Sequence, residues 1–191
     1  MRTAPRTMLA AIAVPALALA AASPTQANAG RHVGERGTYA APGEASNAFT
    51  YNELVPVGAR VKVDAWYLPN GRTVVVLRAS GLASNYEFGA HAHANACGAT
   101  GADAGPHYQY QQDPVAPSIN PAYANPDNEV WLDFTTDAKG SGWAMAVQDW
   151  QPHADRRPGS VVLHIEHTHD GTDGGAAGTA GARLACVTVG F

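Results

Sequence analysis

Beyond residue 29, hydrophobic residues in this chain recur with the two-residue period of extended strand, and no window carries the 3.6-residue period of a helix. Val61, Val63, Ala65 and Tyr67 alternate with Lys62, Asp64 and Trp66. Asn70-Gly71 then forms the strongest hairpin signal in the chain, with Thr73 to Leu77 as the return strand. Further strands are expected over 86–93, 129–135, 142–149, 160–166 and 183–189. Asp137 to Gly140 is expected to fold 129–135 back onto 142–149 as a second hairpin. Short strands separated by Gly- and Pro-rich turns make an all-β antiparallel sandwich or a flattened barrel. Two stretches, 94–126 and 167–182, are too long to be turns, and long ordered loops in small β proteins tend to carry function.

The first 29 residues read as a cleavable secretory signal. Arg2 and Arg6 precede an apolar run from Met8 to Ala22, and Ala27-Asn28-Ala29 supplies a small-x-small cleavage site. The run is too short to span a bilayer, and no later segment is longer. Removal would leave 191 − 29 = 162 residues, enough for one domain with its own core. That domain is expected over 47–191, after a loose Gly/Ala/Arg-rich arm over 30–46. Losing Arg2 and Arg6 from 12 basic and 16 acidic residues leaves 10 − 16 = −6. A mildly acidic chain without a basic run points away from nucleic acid and from anionic membrane. Two cysteines, Cys97 and Cys186, in an exported chain imply one disulfide. It would close a loop of roughly 90 residues, worth about 4 kcal/mol by chain entropy.

Four of the eight histidines stand out. His91 and His93 are two apart on an expected strand, so both leave the same face. His107 follows Gly105-Pro106 in the first long loop. His164 interrupts the apolar strand Val161-Val-Leu-His-Ile165, pointing away from the face of Val161, Leu163 and Ile165. Taken singly, each is an ordinary polar residue of a strand or loop. Together they can make a three- or four-nitrogen site for copper or zinc, and a tetragonal all-imidazole set favours copper.

Four segments carry a resemblance to the copper/zinc superoxide dismutase family. Gly89-Ala-His-Ala-His93 is similar to that family's Gly-Phe-His-Val-His, and Ala104-Gly-Pro-His107 matches its Ala-Gly-Pro-His. Ser160-Val-Val-Leu-His164 resembles its copper-ligand strand. Gly178-Thr-Ala-Gly-Ala-Arg-Leu-Ala-Cys186 is close to its Gly-Asn-Ala-Gly-Ser-Arg-Leu-Ala-Cys. The resemblance implies a Greek-key β-sandwich or flattened eight-stranded antiparallel barrel with two long functional loops. It implies His91, His93, His107 and His164 as copper ligands, and a Cys97–Cys186 disulfide tying the ligand loop to the last strand. Arg183 would attract and orient the superoxide anion.

The family's zinc site does not carry over. No histidine lies between His107 and His153. Aligning Leu132 to Gly140 with the family's turn puts Val130 at the zinc aspartate and Asp127 at a zinc histidine. The chain thus resembles the copper-only branch, in which an acidic side chain takes over part of zinc's role beside the bridging histidine. An imidazole ligand needs a partner on its other nitrogen to hold its tautomer and orientation, and Asp127 and Glu129 are the first candidates for that partner, with Asp133 third. His167 and His169 read as loop residues or as an accessory copper pair; His153 and His32 carry no functional expectation. The implied activity is dismutation of superoxide to oxygen and hydrogen peroxide outside the cell or in its envelope, with His107 also moving a proton and zinc not required. The alternative is a secreted copper-binding or copper-buffering protein on the same scaffold.

Overall fold

The computed structural model describes Met1 and residues 30–191. The expected signal and its cleavage site thus fall, but for Met1, outside the described residues. Among the described residues there are nine strands: β1 (Arg31–Thr38), β2 (Ala48–Thr50), β3 (Arg60–Tyr67), β4 (Thr73–Ser80), β5 (Glu87–His93), β6 (Phe134–Thr135), β7 (Gly142–Gln148), β8 (Ser160–His164) and β9 (Arg183–Thr188). They form two antiparallel sheets, ordered β1-β3-β4-β7 and β2-β9-β8-β5-β6. The architecture is the expected β-sandwich, and the sheets do not close into the barrel that was its alternative. No helix among the described residues is long and apolar enough to cross a membrane.

Asn70-Gly71 turns β3 into β4 as expected: Gly71 takes φ +84°, and the Leu68 N–H bonds the Arg72 carbonyl at 2.8 Å. The alternating residues Val61, Val63, Ala65 and Tyr67 of β3 meet Val75 and Leu77 of β4 in the core. From the facing sheet come Phe88, Ala90, Ala92, Val161, Leu163, Ala185 and Val187.

Three expectations are corrected. Residues 31–38 are not a loose arm but an edge strand, paired with β3 from Arg31↔Tyr67 to Thr38↔Arg60. An edge strand needs one partner's backbone and little burial, so the segment lacks the apolar alternation that marks inner strands. Close approach explains part of its glycine content: a Cβ on Gly37 would come within 2.6 Å of Ala48 Cβ. The second hairpin also does not form. The Asp137–Gly140 turn exists, with the Asp137 N–H bonded to the Ser141 carbonyl, but β6 pairs with β5 while β7 pairs with β4. The turn therefore carries the chain from one sheet to the other. Finally, the strand expected over 129–135 is regular only at Phe134–Thr135, with isolated bridges at Glu129 and Trp131.

The five-stranded sheet is covered on both faces. Its outer face lies under 94–106 and 165–181, and this is where the candidate ligands sit.

Candidate metal centre

Strand β5 sends Phe88, Ala90 and Ala92 into the core and His91 and His93 to the outer face. Strand β8 places His164 opposite Gly89, whose missing side chain leaves room for the 165–181 loop; a Cβ there would strike the Glu166 carbonyl. His107 is held opposite His93 by two backbone bonds, Tyr108 N–H to Ala92 O at 2.9 Å and Ala94 N–H to Pro106 O at 3.0 Å. One nitrogen from each of the four rings lies within 4.8 Å of the others, and no second group of three or more potential ligands converges among the described residues.

Their hydrogen bonds fix which nitrogen faces inward. Thr168 Oγ1 donates its single proton to Asp133 Oδ1 at 2.8 Å, so it accepts from His91 Nε2–H at 2.6 Å. That leaves His91 Nδ1 as a lone pair, and this atom is buried with no hydrogen-bond partner. His93 Nδ1–H donates to Gly105 O at 3.0 Å, and His164 Nδ1–H reaches Gly181 O at 3.4 Å. Their Nε2 atoms then face each other at 3.2 Å as two acceptors. His107 Nδ1–H donates to Glu129 Oε2 at 2.8 Å, which turns Nε2 into the cluster. A buried orphan nitrogen and two opposed lone pairs are costly unless something electropositive lies among them. The four residues fit a metal ion.

Protons are poor candidates for that role. Burial, then the neighbouring imidazoles, holds His91 and His93 well below the ordinary histidine range. Burial and His107 push His164 down to about 3. His91, His93 and His164 stay neutral near pH 7 and offer lone pairs.

Around the cluster the expected supports separate. Glu129 is 1% exposed and accepts three bonds, from His107, from Gln109 Nε2 and from Trp131 Nε1, each at 2.8 Å. Asp127 is exposed and away from His107; its backbone carbonyl accepts from Trp150 Nε1. Asp133 supports a different histidine from the one expected. It holds Thr168 by both backbone and hydroxyl, and through Thr168 it orients His91. His167 leans on Asp133 at 3.4 Å, while His169 bonds Asp173 at 2.8 Å and lies 3.7 Å from Glu166. Neither joins the cluster. His153 stacks on Tyr110, and His32 stacks on Trp66. Gln109, Trp131 and Thr168 were not singled out from the sequence.

A cleft of about 330 Å³ opens beside His107 and His164, with Arg183 on its wall. Arg183 is half-buried and donates to Gly101 O at 2.8 Å. The Cys97–Cys186 disulfide is formed, its ends 89 positions apart in sequence. It clamps the 94–106 segment, which carries the carbonyls that hold His93 and Arg183, onto β9. Reducing the bond is expected to lower metal-free stability by about 4 kcal/mol. It should also weaken metal binding as Gly105 O loosens from His93; thermal melts and metal titrations with and without reductant check both.

Solved structures match this arrangement of strands. A Cu/Zn superoxide dismutase from Brucella abortus superposes with a TM-score of 0.55 at 19% identity, over 82% of this chain and 99% of that one. The fold is that of the copper/zinc superoxide dismutases. A second match with this fold, the clock protein EA4, has a TM-score of 0.51 at 19% identity over 85% of this chain and 95% of its own. No family model matches the chain, and no curated protein matches it. At 19% identity the likeness to the dismutase reaches the fold alone, and chemistry has to be argued from the cluster itself.

Proposed function

We propose that the protein is an exported, copper-dependent superoxide dismutase that works without the zinc site of the Cu/Zn enzymes. The observation that carries this reading is the buried, unpartnered His91 Nδ1 set among three other imidazole nitrogens. An all-imidazole set suits copper. Copper would supply one-electron exchange there, by which two superoxide anions and two protons become oxygen and hydrogen peroxide; zinc has no such redox step.

The chain's own residues then have distinct tasks. Arg183, on the cleft wall with His107 and His164, offers positive charge where a small anion enters. His107 lines the same cleft and would hold a proton at Nε2 and pass it to a reduced oxygen species. Glu129 keeps the ring oriented through Nδ1–H, whatever Nε2 carries. This carboxylate lies on the nitrogen that would face zinc in the Cu/Zn enzymes, which favours the zinc-less reading. Asp133, through Thr168, does the same for His91.

Superoxide decay followed by pulse radiolysis, with metals counted on the same sample, tests the proposal. Fast catalytic decay with one copper and no zinc per chain is expected. His107→Ala should abolish turnover while the other three histidines keep a weakened copper site. Bound copper with decay no faster than in free solution would instead establish a copper-binding protein. Export is read separately, from secreted protein whose first residue should be Gly30.

A further inference from the structure

The sequence holds no basic run, yet the fold assembles a basic row. On the outer face of the four-stranded sheet, Arg36 pairs with Lys62, Lys62 with Arg78, and Arg78 with Trp143, one residue from each strand. Adjacent strands lie about 4.8 Å apart, so the three cationic positions span roughly 10 Å. Arg60, two residues before Lys62 on the same face, adds a fourth charge. These residues line a groove of about 670 Å³, at whose end Trp143 is 65% exposed.

Directly opposed like charges destabilise a sheet, and this chain, with more acids than bases, had the means to alternate signs here. It does so only underneath. Asp64, 2% exposed, draws in Lys62 Nζ at 2.7 Å and Arg78 NH1 at 3.4 Å, which holds both side chains over the sheet. Arg36 and Arg60 make no ion pair among the described residues. Asp137, the one carboxylate on the groove wall, turns its Oδ1 to the backbone N–H groups of Lys139 and Ser141. The groove is thus a preordered cationic surface with an indole at one end.

We infer that this groove binds an acidic polysaccharide, a chain of pyranose rings bearing carboxylate or sulfate groups. Guanidinium groups pair with carboxylate and sulfate oxygens through parallel hydrogen bonds. An exposed indole offers an apolar face to the C–H face of a sugar ring while its N–H stays wet. A single-stranded nucleic acid needs successive aromatic platforms, one for each base, and Trp143 is the only aromatic on this wall. The groove shares no residue with the cleft beside His107 and His164 and belongs to the other sheet. Its occupancy is therefore independent of the proposed dismutation.

Calorimetric titration of the protein with dextran sulfate and with polygalacturonate, against neutral dextran, tests the inference. Saturable binding to either acidic polymer, weakened by salt, and none to dextran is expected. The R36S/R60S double variant should bind about tenfold more weakly with a shallower salt dependence. Trp143→Ala should weaken binding without changing that slope. All three positions are exposed, so melting temperature and superoxide decay should match those of the unaltered protein. Absence of binding, equal binding by the double variant, or tighter binding of an oligothymidylate of matched charge would each overturn it.

Discussion

Replacing Glu129 with Ala is expected to cut superoxide turnover, copper affinity or both by about 10- to 100-fold, the range seen when the partner of a metal-bound imidazole is removed. The carboxylate is buried and takes one bond each from His107, Gln109 and Trp131. Its removal strands three donors at once. Each unsatisfied buried donor costs about 1–3 kcal/mol, less what entering water recovers, so a stability loss of about 3 kcal/mol accompanies the functional one. Glu129→Gln separates the two effects. It keeps the shape and an acceptor at the oxygen shared by His107 and Trp131, and turns an N–H₂ only toward Gln109, so the fold should suffer less while the negative charge beside His107 is lost. Asp127→Ala is the control. Its side chain is exposed, so stability should move by less than about 0.5 kcal/mol and turnover not at all. Equal turnover and copper affinity in wild type and Glu129→Ala would end the idea that this carboxylate holds His107.

That Glu129 and not Asp127 meets His107 shows where sequence reading stops. The two residues are two apart, and on a strand they would share a face. Here the chain winds around Asn125, with Asn128 N–H and Glu129 N–H both bonding its carbonyl, and the turn sends Asp127 to solvent. The four clustered histidines were legible because their signals are local. The pair His91 and His93 needs only an extended backbone to point together, and His164 is a polar residue in an otherwise apolar strand. Gln109 and Trp131 stand two residues from His107 and Glu129, a spacing that marks them once those segments are known to be extended. Thr168 gave no such signal. Its role depends on Asp133, 35 residues earlier, arriving beneath it.

Strand pairing divides the same way. Asn70-Gly71 joins strands that pair with each other, so a local turn signal told the whole story. The Asp137–Gly140 turn is equally local, but the partners of the strands it joins, β5 and β4, lie far off in sequence. Close passage at the crossing is visible only in three dimensions: a Cβ on Gly142 would run into the Phe134 ring. Likewise the edge strand β1 draws its order from β3, not from its own composition.

Metal-free protein is expected to lose stability steeply between pH 7 and pH 5, and copper-loaded protein to lose far less. In the unfolded chain each histidine titrates near its ordinary value of about 6.5. In the fold, burial first and neighbouring imidazoles next hold His91 and His93 well below that value, and push His164 down to about 3. Across that window the unfolded chain binds protons that the folded chain refuses, so stability falls as pH falls. At pH 5 one histidine kept neutral by the fold accounts for about 2 kcal/mol relative to pH 7. Three acting together would remove a large part of a typical domain stability of about 5–15 kcal/mol. A bound metal uses the same lone pairs and adds its binding free energy to the folded state alone. Urea midpoints of metal-free and copper-loaded protein at the two pH values measure both effects. His164→Leu supplies the internal check, since an apolar side chain at this buried position removes one titrating group and one ligand together. Its metal-free form should show a drop smaller by about 2 kcal/mol, and copper should protect it less. A metal-free midpoint that does not move between the two pH values would mean that these three imidazoles are not packed as neutral lone-pair donors, and the case for a metal among them would fall with that packing.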